Sequence, residues 1–356
     1  MKNLMNQLQL GALPLVFAAA LTAPAIADGR NPSSLLLFPQ FRHSAATSST
    51  TLPPINTVIT ITNTHPTQSA FVHIVMINAV TCNHADWPTQ TIPQCGSYSI
   101  LSSQLFPPIT TGEEGYLYAY AVQSANPGVP AVSFNFLIGD CMVVDGINAP
   151  SAGIITNYSI DPVGFAAVNP VLNAPLGFSP PAFPQLDGIV YSKAPARILI
   201  PRFMGQDTAP DPIVNSSDLV LLSLAGTTTT TSTPSNIQTL VDLLVFNDNE
   251  EAFSAQYQFR CWKRDSLLNI NGIFAERFLR DFTNDNPNEI RLTTAGTTKE
   301  AGWMFLEGNN AFSTSENISS PAIMAFLIEN TTSGGVTKTG AELPFFIGER
   351  TGRIAP

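Results

Sequence analysis

The four cysteines are the side chains of this chain that can form covalent bonds with one another. Cys82 and Cys95 enclose the short segment CNHADWPTQTIPQC, which follows a strongly apolar run. Cysteines this close in sequence pair readily in an oxidising compartment, and closing such a loop stabilises a fold by about 3 kcal/mol in the loop-entropy model. We therefore predict a Cys82–Cys95 disulfide. Cys141 and Cys261 either pair with each other or remain two buried thiols.

The same segment also contains the side-chain types of a metal site, because His84 and Asp86 lie between the two cysteines. Their spacing matches no zinc signature and oxidation competes for the thiols, so we expect no metal. Residues 247–251 and 281–289 are rich in the oxygen donors that calcium prefers, without the central glycine of a helix-loop-helix site. Such Asn and Asp clusters are also ordinary turn residues, and we predict turns there.

No residue pattern indicates catalysis. Lys338-Thr339-Gly340 is one element of the penicillin-binding enzymes, but no Ser-x-x-Lys supplies their nucleophile. His43, His65, His73 and His84 are the histidines of the chain, and none belongs to a metalloprotease or nucleophile-elbow motif. A glycine-rich loop for phosphate or a dinucleotide is also absent from the sequence. We predict a protein that is not an enzyme and that uses no cofactor.

Aromatic side chains are the remaining candidates for binding. Tyr116, Tyr118 and Tyr120 alternate along one predicted strand and therefore share one face of it. Such a row can form a platform for a sugar ring or for a neighbouring subunit, or it can line the core, which is the safer interpretation. Trp87, in the predicted disulfide loop, and Trp262, beside Cys261, are the better candidates for surface contacts.

Short apolar sequences, which we call landmarks, occur twice in the same order along the chain. The strands that contain them must position the residues discussed above. Residues 37–41, LFPQF, return as residues 199–203, LIPRF, and residues 115–118, GYLY, return as residues 302–305, GWMF. A repeat of this kind predicts one module written twice. Because Trp303 takes the place of Tyr116 in the second copy, packing is the simpler role for both.

Most of the chain has the two-residue apolar period, or the short apolar runs, of β-strands separated by Asn, Gly and Pro. Residues 273–282 are the one competing helical pattern. Residues 148–196 hold many prolines, which remove hydrogen-bond donors from a sheet ladder, and are interpreted as a connection. The predicted strands are residues 57–62, 71–77, 116–122, 132–138, 141–144, 218–224, 240–246, 255–261, 302–306 and 323–328.

These elements predict an all-β protein with two tandem antiparallel immunoglobulin-like β-sandwich modules. The boundaries that we predict are 1–27 for a signal peptide, 28–147 and 197–356 for the modules, and 148–196 for the Pro-rich connection. The signal peptide has Lys2, an apolar stretch and the small-residue cleavage site Ala25-Ile26-Ala27. We therefore expect a secreted, extracellular, cell-surface or periplasmic protein. No later apolar run is long enough for a membrane span.

The strand pattern of residues 57–63, 71–78 and 115–122 resembles secreted bacterial surface and appendage proteins built from tandem immunoglobulin- or fibronectin-like sandwiches. That resemblance implies adhesion, scaffolding or assembly, and it transfers no active site. The net charge of −10 makes nucleic acid an unsuitable partner. We predict a non-enzymatic structural or interaction protein that binds protein partners or itself. A carbohydrate- or calcium-binding module is the alternative, with a glycan as the ligand in the first case.

Overall fold

The computed structural model describes residues 27–28, 31–45, 55–105, 113–145, 156–180, 182–206, 213–225, 237–248, 250–281, 300–314, 316–333, 336–342 and 344–354. The signal peptide predicted over residues 1–27 lies outside the described residues except for Ala27. Strands make up most of the described chain, in four larger antiparallel sheets and a two-stranded ribbon.

The first half of the chain forms sheets I and II. Sheet I has the strand order β1 (Ala27–Asp28), β10 (Val163–Phe165), β2 (Leu35–His43), β7 (Glu113–Val122), β4 (Ala70–Asn78) and β5 (His84–Ile92). Sheet II has the order β6 (Ser97–Leu101), β3 (Ile55–Asn63), β8 (Leu137–Asp145) and β9 (Thr156–Ser159).

The second half forms sheets III and IV. Sheet III has the order β16 (Trp262–Ser266), β13 (Ile213–Ser223), β19 (Ile323–Ser333) and β20 (Val336–Glu342). Sheet IV has the order β15 (Ala252–Phe259), β14 (Gln238–Asn247), β17 (Ala301–Phe312), β12 (Ala194–Met204) and β21 (Phe345–Arg350), with β18 (Asn317–Ser319) paired to β17. The ribbon joins β11 (Gln185–Leu186) to β22 (Gly352–Arg353).

The described residues contain few helices, and all of them are short. They are α1 (Ser102–Leu105), α2 (Leu267–Ile270), a 3₁₀ turn over Gly272–Phe274 and α3 (Glu276–Asp281). The helical pattern predicted for residues 273–282 is therefore helical in two short pieces, and Phe282 lies outside the described residues. All predicted strand ranges overlap a strand, but residues 132–138 enter one only at Leu137, because residues 135–136 form a turn.

The two halves have the same strand order. Sheets I and IV share the order β10-β2-β7-β4-β5 and β21-β12-β17-β14-β15, and sheets II and III share β6-β3-β8-β9 and β16-β13-β19-β20. The landmark prolines, Pro39 and Pro201, lie where the pairing of β2 with β7 and of β12 with β17 shifts register. A proline has no N–H for the ladder, so these irregular positions accommodate it.

A glycine stands opposite each of these irregular positions. A β-carbon added to Gly115 would lie 1.9 Å from the Ile77 carbonyl oxygen, and one added to Gly302 would lie 2.3 Å from that of Phe246. The same two glycines approach the rings of Phe41 and Phe203. The second landmark of the sequence, the glycine before the aromatic pair, therefore marks a close approach between neighbouring strands.

The prediction of two tandem immunoglobulin-like sandwiches is wrong. The small sheets form a propeller-like arrangement of four blades. One apolar core lies between sheets I and II and another between sheets III and IV, but the largest contains residues of both halves. That shared core contains Leu37 and Tyr118 of sheet I together with Val220 and Phe326 of sheet III. A two-residue apolar period predicts strands with one or two apolar faces, but it does not determine which sheets pack against each other.

The Pro-rich connection belongs to this shared core. Buried Phe165, Leu186 and Tyr191 lie within it, and half-buried Phe178 packs against it. The ring of Phe178 lies 5.5 Å from that of Tyr120. The connection and sheet III therefore both contribute to the core in which the tyrosine face of sheet I is buried.

Candidate binding face

The three tyrosines predicted as a binding platform are not at the surface. Tyr116, Tyr118 and Tyr120 are at most 1% exposed and lie in the core shared by the two halves. Burial raises the pKa of the Tyr118 hydroxyl well above its ordinary value, and the nearby Tyr120 hydroxyl raises it further. The hydroxyls therefore stay protonated, and the row serves packing, which was the safer of the two interpretations.

Neither of the two tryptophans predicted for surface contacts is fully exposed. Trp262 is buried and donates its indole N–H to the carbonyl oxygen of Pro39 at 2.9 Å, so it joins the two halves. Trp87 lies in β5, is half-buried and packs against the core between sheets I and II. Both make apolar contacts, because an indole buries a large apolar area.

The predicted Cys82–Cys95 disulfide is wrong. Cys82 pairs with Cys261, across 179 residues of sequence and across the two halves. Cys95 is an exposed thiol and Cys141 a buried one. Burial raises the pKa of the Cys141 thiol, with a smaller contribution from the Asp140 carboxylate. Cys82 and Cys95 are close in sequence, but the packing of the two halves brings Cys261 to Cys82 in the shared core.

Sheet IV exposes on its outer side a row of apolar side chains that the prediction missed. Leu199 lies directly opposite Phe345 on one neighbouring strand and opposite Phe305 on the other, and Phe305 lies opposite Leu244. Phe345 is 60% exposed and Leu244 43% exposed. Four strands thus place apolar groups in line across an open sheet face, which we call the open face.

A polar row runs beside the apolar row on the same face, two residues further along each strand. It contains Arg197, Glu307, Asp242 and Gln256, each opposite the next across the sheet. Glu307 accepts hydrogen bonds from Arg197 at 3.1 Å and from Arg350 at 2.7 Å. Burial raises the pKa of Glu307, but the bonds from Arg350 and Arg197 outweigh it, so the pKa lies below its ordinary value. Glu307 is therefore an ionised carboxylate at neutral pH.

Aromatic rings complete the open face. Trp303 and Phe246 stack with ring centroids 4.0 Å apart, and Phe305 meets Trp303 edge-on at 5.3 Å. The Arg197 guanidinium lies 5.5 Å from the centre of the Phe305 ring. The polar row, together with Phe305, Ser254 and Asn271, lines a cleft of about 650 Å³. Fixed charges of both signs, an aromatic ring and an amide therefore line one concavity.

The open face is the counterpart of the buried tyrosine face. Gly115 and Gly302 are equivalent, so Trp303, Phe305 and Glu307 stand where Tyr116, Tyr118 and Tyr120 stand in β7. The neighbouring strands match too, because Leu244 stands opposite Phe305 as Val75 stands opposite Tyr118. The fold thus covers this face in the first half and exposes it in the second.

Histidine and carboxylate groups also meet on β4 and β5, near the connection. His73 Nε2 lies 2.8 Å from Asp86 Oδ1, and His84 Nε2 lies 3.7 Å from Asp86 Oδ2. The His84 ring contacts Phe183 of the connection. Within the described residues, no group of three or more His, Cys, Asp or Glu side chains is arranged to hold a metal ion.

The described residues of the first predicted oxygen-rich segment, 247–248 and 250–251, form a turn. Asn247 donates its side-chain amide to a Glu251 carboxylate oxygen at 3.1 Å and accepts from the Glu251 backbone N–H at 2.8 Å. Residues 282–289 of the second segment lie outside the described residues. No helix within the described ranges is long and apolar enough to cross a membrane.

No family model matches this chain, and no curated protein matches it. Among solved structures, the chain is similar to "Crystal Structure of Thermotoga maritima 1070", with 11% sequence identity and a TM-score of 0.27. The likeness covers 38% of this chain and 96% of that chain. At that score it contributes nothing to the assignment of fold or function.

The sequence does carry a signal for the open face, namely the alternation of side chains along two strands. The same alternation is equally consistent with a strand that is packed on both faces. The run Trp303 to Glu307 and the run Arg197 to Ile200 both alternate, with buried Ile198, Met304 and Leu306 on one side. Charged groups at Arg197 and Glu307 on the other side indicate contact with water. Only the tertiary structure shows that the same side in β7 is buried.

Proposed function

We propose that this chain is an exported, non-enzymatic structural or interaction protein that associates with further copies of itself through the open face of sheet IV. The observation that carries the proposal is the in-register apolar row of Phe345, Leu199, Phe305 and Leu244 on a face that is open to solvent. Contiguous exposed apolar surface on a folded protein commonly marks an interaction site.

The first half of the chain supports a second copy as the occupant. Its equivalent face lies in a core to which sheet III contributes, and sheet III has the strand order of sheet II. A face of this type is therefore complementary to another sheet. The open face also carries both signs of charge, with Arg197 and Arg350 beside Glu307 and Asp242, so two copies related by a twofold axis can match opposite charges.

Export is supported by the leader-like N-terminal sequence and by the Cys82–Cys261 disulfide, because disulfides persist in oxidising compartments. The bond also fits a protein that must hold its two halves together outside the cell. Localisation can be tested directly by expressing the full chain and determining the N-terminal sequence of the released protein. A free N-terminus at Asp28 is the expected result, and retention of the leader contradicts export by this route.

Self-association can be tested by sedimentation velocity of the purified protein over a wide range of concentration. We expect mass above that of the monomer, and we expect Leu244→Asp to raise the dissociation constant at least about tenfold, because it places a charge in the apolar row. Val80→Asp is the matched control, since Val80 is 80% exposed in the turn after β4 and belongs to no strand of sheet IV. A monodisperse monomer at every concentration contradicts the proposal.

A carbohydrate-binding role is the second candidate, and the cleft beside the polar row favours it. Arg197, Asp242, Glu307 and Gln256 offer hydrogen-bond donors and acceptors next to the Phe305 ring, which is the combination that sugar hydroxyls and sugar faces require. Retention of the protein on a glycan array, lost in Gln256→Ala, supports this role. Binding that is equal for the variant and the parent protein contradicts a site in this cleft.

A further inference from the structure

The four larger sheets follow one another in the order II, I, III and IV, and each packs on the next by one face. Sheets II and I share one core, sheets I and III contribute to the shared core, and sheets III and IV share another. Sheets I and III therefore have both faces in a core. Sheets II and IV are the two ends of this order, and each combines a core face with a face that has exposed side chains.

The contact between the two halves joins sheets of unlike type. Sheet I has the strand order of sheet IV, and sheet III has that of sheet II. In this contact β2 approaches β13 and β7 approaches β16. Trp262 of β16 donates its hydrogen bond to Pro39 of β2 at the same junction. The chain therefore shows within itself how a face of the first type packs on a face of the second type.

One face of each type is left at the ends. The open face of sheet IV is the equivalent of the tyrosine face of sheet I. Sheet II packs one face on sheet I as sheet III packs one face on sheet IV, so the other face of sheet II is the equivalent of the sheet III face that enters the shared core. We call this face the outer face of sheet II.

The outer face of sheet II has an apolar row beside a polar row. Its side chains alternate along the strands with Ile59, Ile61 and Cys141, which are buried against sheet I. The apolar row is half-exposed and consists of Leu101, Val58 and Met142, in register across three strands. The polar row lies two residues further along each strand and consists of Ser99, Thr60 and Asp140. The hydroxyls of Thr60 and Ser99 lie 2.9 Å apart at the surface.

The two end faces are complementary in pattern and in charge. On the open face, too, the polar row lies two residues from the apolar row along each strand. The Arg197 side chain is 49% exposed and gives a hydrogen bond to Glu307, so part of its guanidinium faces solvent. The carboxylate of Asp242 already accepts hydrogen bonds from two amides. Asp140 is exposed on the outer face of sheet II, so each polar row offers the other an accessible charge of opposite sign.

We infer that the open face of one copy packs on the outer face of sheet II of a second copy, which repeats between copies the contact of sheet I with sheet III. This inference rests on the proposed self-association and names the partner surface. The apolar row that contains Leu244 is covered in this contact. The arrangement is head-to-tail, so each added copy leaves one open face and one outer face free, and assembly continues beyond the dimer.

The contact between copies is weaker than the contact between the halves. The sheet III face in the shared core carries Val220, Leu222 and Phe326, whereas the outer face of sheet II carries a row of hydroxyl groups beside its apolar row. Less apolar surface is therefore removed from water. The assembly should be reversible, and its mass should rise with protein concentration.

A mixture of two variants tests the arrangement, because each variant blocks one face. Leu244→Asp places a charge in the apolar row of the open face, and Val58→Asp places one in the apolar row of the outer face of sheet II. In sedimentation velocity, each variant alone should associate at least about tenfold more weakly than the parent protein. Their equimolar mixture should form a dimer with one copy of each variant and nothing larger, since both of its free ends are blocked.

Two further variants serve as controls. Val80→Asp lies outside both faces, and its mixture with the parent protein should assemble as the parent protein does. Thr60→Lys blocks the outer face of sheet II from its exposed polar row, and it replaces Val58→Asp if that variant does not fold. A thermal melt close to that of the parent protein identifies the folded variants.

The outcomes separate this inference from the proposed function. If variants of the outer face of sheet II associate as strongly as the parent protein while Leu244→Asp does not, two open faces pair about a twofold axis. That result overturns the head-to-tail contact and leaves association through the open face intact. A mixture that stays monomeric where the parent protein assembles also overturns the head-to-tail contact. A parent protein that is monomeric at every concentration overturns both proposals.

Discussion

Trp262 of the second half donates its indole N–H to the carbonyl oxygen of Pro39 in the first half, over 2.9 Å. Pro39 is the proline of the first landmark and lies at the register shift of β2, where its carbonyl is buried. A carbonyl group at an irregular position in one half thus receives its hydrogen bond from a side chain of the other half. The junction depends on this bond, on the nearby disulfide and on the shared core.

Removing the indole donor should destabilise the whole protein. Trp262→Phe leaves the buried Pro39 carbonyl without this partner, which typically costs about 1–3 kcal/mol of unfolding free energy. Denaturant titration followed by circular dichroism measures the change. Trp87→Phe is the control with a smaller expected loss, because the structure gives the Trp87 N–H no hydrogen-bond partner among the described residues. Equal losses for the two variants contradict the role assigned to Trp262.

The disulfide pairing predicts which thiols react. Cys95 is exposed, so it should be alkylated in the folded, oxidised protein, whereas Cys141 should react only after unfolding because it is buried with a raised pKa. Mass spectrometry of the labelled peptides decides the matter. Labelling of Cys261 without reduction would show that the pairing is different. Reduction should lower the unfolding free energy by up to about 5 kcal/mol in the loop-entropy model.

Acid should destabilise the fold through His43. Burial lowers the pKa of His43 to about 4, from the value near 6.5 of an exposed imidazole. Between these values the unfolded chain binds the proton and the folded protein does not, so stability is complete above about pH 6.5 and decreases as the pH falls toward 4. The loss reaches up to about 3 kcal/mol. Urea titrations across this range should show a smaller slope for His43→Gln, and an unchanged slope contradicts the assignment.

Substitution by alanine should destabilise the fold to a similar extent at the two equivalent glycines. Gly115→Ala and Gly302→Ala each push a methyl group against a neighbouring carbonyl, and we expect each to lower the unfolding free energy by about 1–3 kcal/mol or more. Gly340→Ala is the control, because no atom lies within 4 Å of its added β-carbon. Thermal melts measure all three. Tolerance at Gly302 together with intolerance at Gly115 would show that the close approach is not shared by the halves.

The strand positions followed from residue types, while their assembly did not. Ile59 and Ile61 alternate with Thr60 and Thr62, and this pattern was sufficient to place β3. The same alternation places Tyr118 and Phe305 on equivalent strands, yet Tyr118 is buried and Phe305 is half-exposed. The difference comes from sheet III and the connection, which cover only the first of the two faces. Neither cover is encoded in the local pattern of β7 or β17.

By itself the amino-acid sequence determined the β-strands, the recurring landmarks and the chemistry available to a ligand, because these depend on near neighbours along the chain. Only the tertiary structure decided that Cys82 pairs with Cys261, that the tyrosines are core residues and that the open face lies on sheet IV. Those outcomes depend on which apolar faces meet when the sheets assemble. The free energy of that choice is spread over contacts between residues far apart in sequence.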